Sequence, residues 1–177
     1  MTRFFKQTVA AFALVLVALM LPGPAAAQDT APPTETVKAT HGAWEIVCSS
    51  KQADLCVMRQ FGKNADGKDV IDVRIRKLKD VKTKDGKVLP AAIQITTPLG
   101  TILRAGVTVK IDSGEPRTGA FEVCLPSGCV LRDPMSEEFL ANLKAGNVAN
   151  MSFKLLQLGA VEASISLKGF TKAFKAL

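Results

Sequence analysis

The chain has 177 residues, and its 23 lysines and arginines against 16 aspartates and glutamates give a formal net charge of +7. A single histidine argues against zinc binding and against histidine-based catalysis, because both need that side chain held among suitable neighbours. A single tryptophan without any tyrosine is a poor inventory for a carbohydrate-stacking surface.

The first 27 residues have the pattern of a secretory signal peptide. Arg3 and Lys6 give a positive start, an apolar run covers residues 9–21, and a small-residue A-x-A sequence ends at Ala27. A membrane-spanning helix needs about 20 apolar residues, so the short run favours cleavage over the alternative of an uncleaved membrane anchor. Cleavage after Ala27 would leave 177 − 27 = 150 residues, enough for one domain, with a net charge of 21 − 16 = +5.

Export determines how the four cysteines are interpreted. Cys48, Cys56, Cys124 and Cys129 are an even number in an oxidising compartment, which predicts two disulfides. Three pairings are open, and the short spacings favour 48–56 and 124–129. We expect a soluble or peripherally bound protein of the periplasm, or one associated with the outer membrane, that does not meet nucleic acid.

Residues 28–41 contain two prolines and no apolar periodicity, which predicts a flexible leader before a single domain at 42–177. The first strands of that domain are predicted at 43–48, 55–61, 70–78 and 88–97. The third has the clearest period of two, which indicates one buried face. Its inward residues are Ile71, Val73 and Ile75, and its outward residues are Asp72, Arg74 and Arg76.

Further strands are predicted at 107–112, 121–125, 148–158 and 160–167. The four residues between Cys124 and Cys129 predict a hairpin loop. Asp133-Pro134 predicts a helix N-cap followed by proline at the first helical position, with Gly146 ending that helix. Helical spacing of apolar residues in the last nine positions predicts a short C-terminal helix.

About eight short strands with one helix among them predict a mainly β fold. The expected architecture is an antiparallel, Ig-like β-sandwich with one inserted helix and a short C-terminal helix. A small β-barrel is the alternative.

We find no constellation in the sequence that indicates a reaction, a metal site or a cofactor. His41 lies at the entry to the domain and is interpreted as a solvated side chain. The Cys-x4-Cys spacing is not the C-x-x-C pattern of redox proteins, so structural bridging is favoured over a thiol oxidoreductase. There is no glycine-rich phosphate loop.

A cluster of basic residues is the one surface feature with a functional interpretation. Arg74 and Arg76 share the outward face of a predicted strand, and lysines follow in the next loop. One interpretation is a solvated strand face that discourages edge aggregation. The other is an anion-binding face formed by Arg74, Arg76, Lys77, Lys79 and Lys82.

An ordered series of motifs carries a family resemblance: WEIVC at 44–48, PLGTILRAG at 98–106, CLPSGC at 124–129 and SLKGF at 166–170. The series resembles the invasion-associated locus B family of exported bacterial proteins. The resemblance implies an envelope protein of a Gram-negative bacterium with a compact β-sandwich and no known catalytic site. The matching positions are structural, namely the four cysteines and the turn glycines Gly100, Gly106, Gly128 and Gly169.

Together these observations predict a non-enzymatic envelope protein that binds an unidentified envelope component or partner protein. Peripheral association with an anionic membrane surface is a further expectation from the positive charge. The rival hypotheses are a surface or secreted factor that promotes host-cell invasion and, ranked below it, a thiol oxidoreductase.

Overall fold

The computed structural model describes residues 35–52 and 55–177. They form eleven strands of one antiparallel sheet, which curls into a half-barrel, and two α-helices. The mainly β, antiparallel prediction is confirmed, and the single curled sheet lies between the sandwich and the barrel that we considered. The strands are β1 (Glu35–His41), β2 (Trp44–Ser49), β3 (Cys56–Lys63), β4 (Asp69–Lys77), β5 (Ala91–Thr97), β6 (Val107–Ile111), β7 (Arg117–Gly119), β8 (Val123–Leu125), β9 (Gly128–Met135), β10 (Val148–Leu155) and β11 (Gly159–Ser166), and the helices are α1 (Glu137–Ala145) and α2 (Phe170–Ala176).

The main path of the sheet runs β7-β6-β10-β11-β3-β4-β5-β9-β8, and β1 and β2 branch from β3. The inner faces of the strands and both helices enclose one core, in which Trp44, Met58, Ile75 and Phe170 are fully buried. The period of two in β4 is confirmed, because its three inward residues are buried. In the described part of the chain, neither helix is long and apolar enough to cross a membrane.

Strand β3 changes partner along its length. Residues 56–59 pair with β2, whereas near its end Lys63 pairs with Ser164 of β11. Between these points the side chain of Gln60 acts like a peptide group: it donates to the Ser166 carbonyl and accepts from the Ser166 N–H, both at 2.8 Å. The indole of Trp44 donates to the same carbonyl at 3.0 Å. The Gln60 side chain therefore joins β3 to β11 where the two strands have few backbone hydrogen bonds.

The segment that joins β11 to α2 fits tightly against the turn between β1 and β2. Ala43 donates its N–H to the Lys168 carbonyl at 3.1 Å. Gly42 and Gly169 both have positive φ, and a Cβ on Gly169 would lie 2.1 Å from the His41 carbonyl oxygen. Only glycine fits such an approach between two backbones, so this contact fixes how α2 leaves the sheet.

Two predicted boundaries are wrong. Residues 35–41, assigned to the flexible leader, form β1 and pair with β2. This strand is mostly exposed and held by backbone pairing, so it has no apolar period to reveal it. Asp133 and Pro134 do not begin the helix but lie in β9, opposite Ile93 and Ala92 of β5.

The N-cap of α1 is instead Ser136, whose hydroxyl accepts from the Phe139 N–H at 3.2 Å. Gly146 ends that helix as predicted, and the C-terminal helix is confirmed as α2. The signal-peptide prediction for residues 1–27 and the remainder of the leader lie outside the described residues.

Both disulfides have the pairing that the spacing favours, Cys48–Cys56 and Cys124–Cys129. Each joins residues directly opposite each other, on β2 and β3 and on β8 and β9. The second hairpin is tighter than the predicted four-residue loop, because Leu125 pairs with Gly128 and only Pro126 and Ser127 form the turn.

We expect Gln60→Ala to lower the free energy of unfolding by about 1–3 kcal/mol, because two hydrogen bonds of about 0.5–1.5 kcal/mol each are lost at the junction. Trp44 is the only tryptophan and is buried against Phe170, so its fluorescence in urea reports unfolding. Gln157→Ala, in the exposed turn after β10, is the matched control. Equal stability of the two variants would contradict a structural role for the Gln60 amide.

Candidate functional site

The outer face of the sheet carries a row of polar side chains across five strands. Each member lies directly opposite the next in the register of β2, β3, β4, β5 and β9. Most of their neighbours along the strands are buried in the core, so the row faces away from it. We call this set the arginine row: Glu45, Arg59, Arg74, Gln94 and Arg132.

Carboxylates neutralise every arginine of the row. Arg59 lies 2.8 Å from Glu45 and 3.2 Å from Glu35. Arg74 contacts Glu35 and lies 2.8 Å from Asp72. Arg132 pairs with Glu122 at 2.8 Å, and its Nε donates to the Gln94 side chain at 3.0 Å. The row is therefore an ion-pair network and not a free cationic surface.

Glu35, the first residue of β1, has a particular position in this network. Arg59 and Arg74 are cross-strand neighbours, an arrangement that is unfavourable for like charges. The Glu35 carboxylate reaches both guanidinium groups. Burial lowers the pKa of Arg74, but hydrogen bonds to Glu35 and Asp72, with their negative charge, together raise it above its ordinary value. Arg74 is therefore permanently charged and held in place.

A groove of about 510 Å³ lies beside the arginine row on the same face. Arg76 lies opposite Ala92, and Ala92 lies opposite Pro134, so small side chains form the floor next to a long cation. We call this cavity the arginine groove; it is lined by Val57, Arg74, Arg76, Leu78, Val81, Ala92, Ile93, Gln94, Arg132, Asp133 and Pro134.

Arg76 differs from Arg74 and Arg132, the other two arginines that line the groove. It is exposed, and within residues 35–52 and 55–177 its side chain makes no ion pair or hydrogen bond. A mostly apolar cleft of this size with a few polar groups is the usual form of a ligand site. The groove therefore presents one free positive charge beside apolar side chains.

A cavity of about 580 Å³ elsewhere on the molecule is a weaker candidate. Its lining comes largely from β6, β10 and β11 and includes charges of both signs, such as Lys63, Lys110 and Glu162. Lys63 is already paired with Asp69 at 2.6 Å. Its remaining charges, Lys110 and Glu162, are of opposite sign, and its lining is less apolar than that of the arginine groove.

The structure divides the predicted anion-binding face. Arg74 and Arg76 do share the outward face of β4, but Arg74 is neutralised. Lys77 lies on the other face, with its Nζ 5.4 Å from the centre of the Phe174 ring and 3.4 Å from the Lys175 carbonyl oxygen, so its inclusion was wrong. Lys79 and Lys82 are exposed on the loop between β4 and β5.

Arg59 and Arg132 are members of the row that the sequence did not single out. The period of two can place each on an outward face, but it does not specify which residue lies opposite it. That register depends on pairing between strands distant in sequence, as for Gln94 and Arg132. No sequence signal connects them.

The described residues offer no group of three or more His, Cys, Asp or Glu that could hold a metal ion. All four cysteines lie in the two disulfides. The feature that this face offers is a groove in which the Arg76 guanidinium lies beside apolar side chains.

We expect Glu35→Gln to destabilise the fold by about 1 kcal/mol, because it removes the carboxylate that separates two opposed guanidinium groups. Added salt should reduce the loss, since screening weakens the repulsion. Urea unfolding followed by Trp44 fluorescence measures both effects. Glu45→Gln is the matched control, because it contacts Arg59 alone and leaves Glu35 in place; an equal, salt-independent loss in both variants would refute the bridging role.

Comparison with known proteins places this geometry in a family. The family model described as invasion associated locus B (IalB) protein matches residues 44–177. An invasion protein B homolog of Brucella abortus is 33% identical over 141 residues, covering 78% of this chain and 77% of that protein. Invasion protein B of Bartonella bacilliformis is 22% identical over 143 residues, covering 78% and 73%.

The crystal structure of invasion associated protein B from Bartonella henselae has the same fold. It is similar with a TM-score of 0.60 and 21% identity, over 80% of this chain and 95% of that chain. The resemblance inferred from the ordered motifs is confirmed, and the chain belongs to the invasion associated locus B family.

Proposed function

We propose that the protein is a non-enzymatic binding module of the bacterial envelope and that the arginine groove holds its ligand. The observation that carries the proposal is the unpaired charge of Arg76 beside the apolar lining of the groove. Neutralised arginines on either side hold the floor in place without competing for an anion. The ligand is an anionic group on an apolar body, borne by an envelope component or a partner protein.

Two observations support location in the periplasm, with or without attachment to the outer membrane. The first 27 residues have the pattern of a signal peptide. Two disulfides suit an oxidising compartment.

The curated relatives carry the name of invasion proteins and not of enzymes, which supports binding over catalysis.

A photo-crosslinking amino acid in place of Ala92, at the floor of the groove, tests the proposal in the living bacterium. We expect a crosslinked adduct that Arg76→Glu reduces at least about tenfold, because losing a hydrogen bond to a charged group costs roughly 1.5–3 kcal/mol. Lys84→Glu, an exposed charge reversal on the neighbouring loop, should leave the adduct unchanged.

The crosslinker at Lys110, exposed on β6 and outside the groove lining, is the positional control. The proposal is wrong if the two positions give the same adducts, or if Arg76→Glu and Lys84→Glu have the same effect.

A second candidate function is a role in host-cell invasion, which the names of the relatives favour. A deletion strain complemented with the wild type or with Arg76→Glu distinguishes the two candidates. Loss of host-cell entry on deletion, restored only by the wild type, would tie entry to the groove. Unchanged entry on deletion, with the protein confined to the periplasm, would exclude the invasion role.

A further inference from the structure

One end of the sheet exposes four leucines on two neighbouring segments. Leu156 and Leu158, in the turn between β10 and β11, are 77% and 74% exposed, the highest values for large apolar residues in the described part. Leu99 and Leu103, in the segment between β5 and β6, are 59% and 42% exposed. We call these four residues the leucine end.

Backbone hydrogen bonds hold the two segments together. The Leu156 N–H donates to the Gly100 carbonyl at 2.9 Å, and the Ile102 N–H donates to the Lys154 carbonyl at 2.8 Å. An isolated bridge between Thr101 and Leu155 lies between these bonds. The four leucines are therefore carried by one joined structure at one end of the half-barrel.

Folding does not explain these side chains. Turn positions usually carry polar residues, and leucines this exposed contribute little to the core. Several large apolar side chains grouped on an otherwise polar surface mark a site of interaction. The leucine end is therefore a candidate interaction surface.

The charges beside the leucines identify the kind of partner. Arg104 follows Leu103, Lys154 precedes the turn that carries Leu156, and both are exposed without an ion pair to any described residue. A second copy docked symmetrically would bring these cations towards their own equivalents, which is unfavourable. An anionic lipid surface accepts leucines at the acyl boundary and cations at the head groups.

We propose that the leucine end docks the protein on an anionic lipid surface. The arginine groove remains free in this orientation, because β5 runs from Ala92 at the groove to Thr97 before the leucine end. This membrane contact is independent of the proposed ligand of the groove. One surface attaches the protein, and the other is available for binding.

Cosedimentation of the protein, purified from its own bacterium, with lipid vesicles tests the proposal. Vesicles of phosphatidylethanolamine with phosphatidylglycerol should bind it, and vesicles of phosphatidylcholine alone should bind it at least about tenfold more weakly. Leu156→Ser combined with Leu158→Ser should reduce binding to the anionic vesicles at least about tenfold. Arg104→Glu combined with Lys154→Glu should remove the preference for the anionic vesicles.

Val88→Ser is the matched control, because Val88 is an exposed apolar residue on the loop between β4 and β5, at the other end of β5. It should bind like the wild type, and Trp44 fluorescence checks that every variant is folded. Binding that survives both leucine substitutions, or equal binding to both kinds of vesicle, would overturn the proposal. A dimer in sedimentation velocity that those substitutions abolish would also overturn it in favour of a self-interface.

Discussion

The change of partner along β3 is the constraint on which the rest of the structure depends. A strand has two edges, and β3 uses one for β4 and divides the other between β2 and β11. Where the pairing divides, the N–H and the carbonyl of Ser166 lack backbone partners on β3. The Gln60 side chain bonds to both, and the Trp44 indole also donates to the carbonyl. Because buried peptide groups need partners, this junction lets one continuous sheet curl around a single core.

The two halves joined at that point carry different surfaces. The half built from β2, β3, β4, β5 and β9 holds the arginine row and the groove. The half built from β6, β10 and β11 contributes the most exposed leucines. Charge count alone would suggest a broad cationic face, but carboxylates pair with Arg59, Arg74 and Arg132 there. What distinguishes the groove is the guanidinium of Arg76, which makes no ion pair with any described residue, beside a mostly apolar lining.

Local patterns predicted the parts of the fold that local physics determines. The alternation of Ile71, Val73 and Ile75 identified β4, and short cysteine spacings identified both disulfides. Strand β1 was not predicted, because backbone pairing and ion pairs stabilise it. Neither of these produces an apolar period in the sequence. Asp133-Pro134 has the sequence pattern of a helix N-cap, but these residues pair with β5 as part of β9.

The candidate site was predictable only in part for the same reason. Arg74 and Arg76 lie on one strand, so their shared face follows from the period of two. Arg132 joins them through a register set by the whole sheet. Lys77 adjoins Arg76 in sequence, yet it lies on the other face beside Phe174, as alternation along one strand requires.

The family match begins at residue 44, whereas the first described strand begins at Glu35. A recombinant fragment cut at the limits of the family would lack β1 and the carboxylate between Arg59 and Arg74. It would also expose the edge of β2, whose free backbone groups invite pairing with another chain. Association of such a fragment with itself or another chain would result from the exposed edge of β2. It would not be a property of the intact protein.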